Sequence, residues 1–174
     1  MTSREEFSFA SAQQAADEGK LAEWVVDFLA SPGSSNAELA AAIAFSGATY
    51  LGPIRFELDR LTPMAGPDKG RVAVPVPREE WESDVEAMEH SIEEGWRPPP
   101  LLVSHRNGKY YLEDGNHRYE TLRRSGAKHA WTILLFADET ERDRFLKGRG
   151  RASVQPGTDA ASQPRRTGAS GTTS

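Results

Sequence analysis

The sequence predicts a small α+β domain: a mixed sheet with flanking helices, preceded by a helical hairpin. Three observations carry this expectation. Apolar residues recur with helical spacing over 21–29 and 81–92. They alternate, or run almost unbroken, over 54–58, 101–103, 110–112 and 131–136, as strands require. Glycine, proline and asparagine punctuate the boundaries between these segments.

The elements follow in chain order. Residues 1 to about 15 show no apolar face and are expected to be loosely ordered, within a flexible N-terminus of residues 1–18. Leu21, Trp24, Val25, Phe28 and Leu29 form one helical face, which Ser31-Pro32-Gly33-Ser34-Ser35 ends. Asn36 can cap a second helix with Leu39 and Ile43 on a small-residue face, and Ser46-Gly47 ends it, so 19–47 reads as a helical hairpin. Trp24 is its diagnostic residue: exposed it would mark a partner surface, buried it would be ordinary core. Ile54, Phe56 and Leu58 alternate with Arg55, Glu57 and Asp59, as in a half-buried strand. A loop spans 62–70. Val72, Val74 and Val76 alternate again, but Pro75 and Pro77 confine them to an edge or an extended connection.

Trp81, Val85, Met88 and Ile92 define the next helix, with Gly95 as its stop. Trp96-Arg97-Pro98-Pro99-Pro100 must be extended, because each proline restricts the residue before it. Leu101-Leu102-Val103 and Tyr110-Tyr111-Leu112 read as strands joined by an Asn107-Gly108 hairpin. Residues 118–124 read as a short helix ended by Gly126, and 131–136 as a central strand buried on both faces. Asp138 and Glu141 have capping-box spacing for a last helix containing Phe145 and Leu146. Residues 48–148 thus read as one domain, and 149–174, poor in apolar residues, as a disordered tail.

Composition narrows the chemistry. The 174 residues include no cysteine, which excludes a disulfide framework, thiolate zinc sites and a thiol nucleophile. The net charge is −5, and the tail from Arg151 carries +2, so the remainder is acidic and offers a phosphate backbone no general attraction. No apolar run approaches the roughly 18 residues of a membrane span, and residues 1–14 lack the apolar stretch of a secretion signal. A cytoplasmic location is expected. His90, His105, His117 and His129 lack zinc-ligand spacing, and no serine sits in a nucleophile elbow.

The chemistry concentrates in Glu113-Asp114-Gly115-Asn116-His117-Arg118. A strand ends, a glycine turns the chain and a helix begins. Free amides and the helix dipole make such a start an anion site. Gly115 lets backbone approach a ligand, Asn116 and His117 add donors, and Arg118 adds a planar cationic fork suited to phosphate. Glu113 and Asp114 could bind magnesium or act as a base. The same residue types also serve as turn and cap chemistry, with Asp114 or Asn116 capping the helix.

Over residues 54–136 the order is strand, helix, Gly-Trp-Arg-Pro-Pro-Pro, strand, Asn-Gly, strand, Asp-Gly-Asn-His-Arg, helix, strand. It resembles the ParB/sulfiredoxin superfamily. Leu58-Asp59-Arg60-Leu61-Thr62-Pro63 resembles that family's opening strand, and residues 95–103 resemble its G-x-x-P-P-I-x-V strand with one extra proline. The resemblance implies that nucleotide phosphates bind at an x-G-x-x-R turn, here Asp114 through Arg118. Asn116 stands where sulfiredoxins carry their catalytic cysteine, so sulfinic-acid repair is excluded. The 38 residues after Phe136 are too few for a helix-turn-helix region plus a dimerisation domain. A stand-alone member is therefore expected, without a role in chromosome partitioning.

Three functions follow. The first binds a nucleotide (ATP, ADP or CTP, with magnesium) or another phosphate ligand, with phosphotransferase or phosphohydrolase chemistry. In it Glu113 and Asp114 are catalytic or metal-binding, and Gly115, Asn116, His117 and Arg118 hold phosphate. The second is a non-catalytic nucleotide sensor or protein-interaction module using the hairpin. The third is a DNA-binding accessory protein, supported by Arg142, Arg144, Lys147, Arg149 and Arg151 and then Arg165 and Arg166, and opposed by the acidic domain.

Overall fold

The computed structural model describes residues 6–34 and 36–149. Among the described residues, six helices and a mixed five-stranded sheet, with one small two-stranded sheet, make up the α+β fold expected from the sequence. The first described elements are α1 (Phe9–Asp17), α2 (Leu21–Ala30) and α3 (Ala37–Ala44), followed by β1 (Thr49–Glu57), a 3-10 turn over Leu58–Arg60 and β2 (Leu61–Pro63). The two-residue strands β3 (Ala65–Gly66) and β4 (Val74–Pro75) precede α4 (Arg78–Glu93). Then come β5 (Leu101–Arg106), β6 (Lys109–Asp114), α5 (Asn116–Arg124), β7 (His129–Phe136) and α6 (Glu139–Arg149).

The large sheet runs β1-β7-β5-β6-β2. β1/β7 and β5/β6 are antiparallel, whereas β5/β7 and β2/β6 are parallel. Asn107 and Gly108 both have positive φ, 53° and 76°, the requirement of the tight hairpin turn their sequence announces. Alternation along the inner strands divides the core in two. Leu101, Val103, Leu134 and Phe136 face one layer with Phe56 and Leu112, against which Tyr119, Leu122 and Phe145 pack. Leu102, Ile133 and Leu135 face the other, with Val25, Phe28 and Leu29 of α2. β7 is thus buried on both faces from Thr132 onward, as its apolar run requires, although it lies second in the sheet and Trp131 stays 39% exposed.

Several boundaries differ from the sequence reading. Helix α1 occupies residues expected to be loosely ordered; a reciprocal Ser8/Ser11 capping box starts it, and only Ala12 is buried. Its contact face is Phe9 against Trp131 followed by Ala12 and Ala16, so no bulky periodic stripe reveals it. The loop expected over 62–70 contains the end of β2 and all of β3, and β2 is held by pairing with β6 rather than by local propensity. At α6, Asp138 accepts from the Glu141 amide at 2.8 Å as a capping box requires, but Glu141 accepts from the amide of Ala137. The expected tail lies outside the described residues after Arg149.

Because both faces of one strand carry core, damage on either side should unfold the whole domain. Ile133→Ala and Leu134→Ala are each expected to lose about 2–5 kcal/mol in urea denaturation, with one transition and an unchanged slope. A separate early transition in Ile133→Ala would show that the N-terminal helices fold as an independent unit.

Candidate functional site

The turn sits where β6 ends and α5 begins. Gly115 is the N-cap residue, in the left-handed region at φ 94°, and it brings no capping side chain. Neither Asp114 nor Asn116 caps the helix. A Cβ at Gly115 would stand 2.6 Å from Nη2 and 2.9 Å from Nε of Arg118, and 2.8 Å from Leu101. Glycine is therefore required twice, by conformation and by the side chains packed beneath it. Glu113, Asp114, Gly115, Asn116 and His117 are half-buried, whereas Arg118 is buried at 6% exposure.

Arg118 folds back under the glycine. Its Nη2 donates to Asp114 Oδ2 at 2.8 Å and, at 3.5 Å, to the Pro100 carbonyl. The guanidinium also lies over the Phe28 ring, 5.5 Å from its centre. Its Nε is buried without a hydrogen-bond partner. Burial pushes the Arg118 pKa below the usual arginine value, and the adjacent Asp114 carboxylate opposes that shift. Asp114 also accepts from Ser34 Oγ at 2.7 Å, which ties the segment after α2 to the turn.

The other expected residues have separate tasks. Asn116 Oδ1 accepts from the amides of Met64 and Ala65 at 3.0 and 3.1 Å, and its Nδ2 donates to Leu112 O. It braces the 64–65 segment against the helix start. His117 packs on Trp81 of α4, ring centres 4.3 Å apart. Its Nε2 is buried 3.7 Å from Asp84, too far for a hydrogen bond. Burial holds its pKa below the usual histidine value against the pull of Asp84 and Glu80, so the ring is neutral at pH 7. Glu113 accepts from Ser104 Oγ and from Arg106. The β5/β6 pairing shifts register between Leu102 and Val103, which leaves Glu113 unpaired in the ladder.

Glu113 and Asp114 are neighbours in sequence, yet each is held by its own arginine and serine. Among the described residues, no group of three or more His, Asp or Glu is placed to hold a metal ion. Arg123 and Arg124 pair with Glu120, and Arg124 also with Glu82, on an exposed helix face. Arg149 lies over the rings of Phe56 and Phe145, so part of the basic C-terminal run is packing. Trp24 is half-buried, neither exposed nor fully core: it stacks on Phe28 at 5.3 Å and donates to Ser11 Oγ of α1 at 3.0 Å, so it packs α2 against α1. Two cavities, of about 500 and 450 Å³, lie among the N-terminal helices, and neither opens onto the turn.

Sequence reasoning missed Ser34, Arg106 and Trp81 as the partners of the turn. The Asp114–Arg118 spacing of four was visible and is the helical ion-pair distance. Nothing local announced that the pair would be buried.

No family model and no curated protein matches the chain. Solved structures match over part of it. The chain is 27% identical to a mutant free serine kinase in complex with ADP, over 47% of this chain and 30% of that one, with a TM-score of 0.36. It is 18% identical to sulfiredoxin from Arabidopsis thaliana, over 56% and 97% of the two chains, with a TM-score of 0.33. It is 21% identical to the C-terminally truncated chromosome-partitioning protein ParB from Caulobacter crescentus complexed with CTP-gamma-S, over 60% and 56%, with a TM-score of 0.33. Sulfiredoxin and ParB are the two groups that the sequence pattern resembles. The matched region spans less than a third of the kinase chain. Among the described residues no helix is long and apolar enough to cross a membrane.

Two expectations follow. Gly115→Ala combines a left-handed alanine with overlap on Arg118 and Leu101, and should lose at least about 2 kcal/mol in urea denaturation; a loss below about 0.5 kcal/mol would mean that the turn relaxes freely. His117, neutral in the fold, takes up a proton more readily when unfolded. Its contribution is fully present above the unfolded pKa, about 6.5, and is lost as the pH falls below it. His117→Phe should therefore lose less stability than the parent between pH 7.5 and 5.5, and an equal loss would remove His117 as the source.

Proposed function

We propose that this chain binds the phosphate of a nucleotide, or another phosphate ligand, at the start of α5, as a ParB/sulfiredoxin-like binding module. One observation carries the reading: a helix whose N-cap has no side chain begins over a buried guanidinium whose Nε has no partner. Uncapped amides and the helix dipole favour an anion there, and Arg118, its charge balanced by Asp114, fixes the turn behind them. The half-buried turn makes this a surface cradle rather than a deep pocket. The phosphate would meet the amides of Asn116, His117 and Arg118 first, with Gly115 giving it room to approach.

The ion pairs favour binding without turnover. Glu113 is occupied by Ser104 and Arg106, and Asp114 by Ser34 and Arg118. A phosphotransferase or phosphohydrolase step would first have to free one of these carboxylates to act as a base. Magnesium enters this reading only as a companion of the nucleotide, held by phosphate oxygens and water, because Asp114 and Glu113 each already pair with an arginine. His117, neutral and packed on Trp81, contributes its backbone amide rather than a charge.

The test is an amide-resolved NMR titration of isotopically labelled protein with ADP, ATP and CTP, each with and without magnesium. The largest shifts are expected at residues 115–118, saturating with the nucleotide. Saturable binding that leaves these four amides unmoved, or no binding of any of the three, would overturn the proposal.

A further inference from the structure

A second surface lies away from the turn. Helices α2 and α3 and the first residues of β1 enclose a groove of about 500 Å³, with Val26, Ile43 and Tyr50 among its walls. Glu23 and Asp27 also line it, four residues apart on α2 and so on one side of that helix. Neither carboxylate has an ion-pair or hydrogen-bond partner among the described residues. From Leu21 to Ile54 the sequence contains Glu23, Asp27 and Glu38 and no lysine, arginine or histidine. Just past the end of α3, next to Ile43 and Ala44 of the groove wall, Phe45 is 92% exposed. Phe45 thus sets an exposed aromatic side chain beside a groove whose walls are both apolar and carboxylate-bearing.

Charge and composition select the occupant. A second copy of this chain would bring the same unpaired carboxylates against these, so a symmetric contact is electrostatically opposed. An anionic membrane or a nucleic acid is opposed for the same reason. The chain's own residues 150–174 carry Arg151, Arg165 and Arg166, but Val154 is their only large apolar side chain, too little to fill such a groove. What fits is a segment with bulky apolar residues on one face and lysine or arginine along its flanks. We propose that this groove docks a cationic amphipathic helix of a partner protein. The apolar face of that helix would pack on Val26, Ile43 and Phe45, and its flanking cations would pair with Glu23 and Asp27. This site is separate from the phosphate turn, and its occupancy does not depend on that reading.

The test titrates the full-length labelled protein with a short synthetic Leu/Lys amphipathic peptide and, in parallel, with a Leu/Glu peptide of the same apolar pattern. The Leu/Lys peptide is expected to move amides over 22–27 and 43–50, and the Leu/Glu peptide to leave them unmoved. Phe45→Ser should weaken the Leu/Lys peptide by about tenfold or more, as loss of an aromatic anchor does. The double variant Glu23→Lys, Asp27→Lys should lose that peptide and gain the Leu/Glu one. All three positions are exposed, so the amide spectrum of each variant away from the groove should match the parent. Peptide shifts centred on α4, which carries Glu79, Glu80, Glu82, Asp84 and Glu86, affinity unchanged in both variants, or self-association through Phe45 would each overturn the proposal.

Discussion

Arg118 is a full positive charge held almost out of water, and the architecture of the turn follows from what that burial demands. An arginine in such a place is stable only when a carboxylate and further acceptors replace its lost solvation. Asp114 supplies the carboxylate from the last position of β6, and Pro100 a carbonyl from the segment leading into β5. Phe28 supplies a ring face from α2. Gly115 is the only residue type that leaves room for the guanidinium beneath the backbone. One side chain therefore joins the N-terminal hairpin, the sheet and the helix start, elements that are far apart in sequence.

This constraint also defines what the site can do. The positive charge lies behind the helix start rather than in front of it, and Asp114 already balances it. The turn therefore offers an oriented set of amides backed by a neutralised pair, which suits holding a phosphate better than driving a reaction on it. Asn116 and His117 fit the same view. Asn116 holds the 64–65 segment against the helix, and His117 packs neutral on α4, so both position the turn.

Much of this was legible in the sequence, and the limits have physical causes. Helices α2 and α4 follow from bulky residues at helical spacing, and the β5–β6 hairpin from Asn107-Gly108, because these signals are local. The strand-to-helix turn was legible for the same reason, since only a few adjacent residues decide it. Helix α1 was not, because its buried contact is an alanine and its start depends on two serines. β2 showed only through the resemblance of residues 58–63, because parallel pairing with β6 holds three residues that carry no strong local preference. The role of Arg118 was half legible: its spacing from Asp114 could be read, but its burial depends on Phe28 and Pro100, brought in by tertiary packing. Trp24 and Phe45 make the same point in reverse, since both are aromatic residues of the hairpin and only the fold decides that the first is packed and the second exposed.

The claim that a buried Asp114–Arg118 pair organises the turn is tested most directly by a double-mutant cycle on stability, using Asp114→Asn, Arg118→Met and the combination in urea. Each single change strands a buried polar or charged partner and should lose about 3–5 kcal/mol. The combination should lose less than the two losses added, by more than about 1 kcal/mol. Losses that simply add would mean that the two side chains act independently, and the turn would then need another explanation.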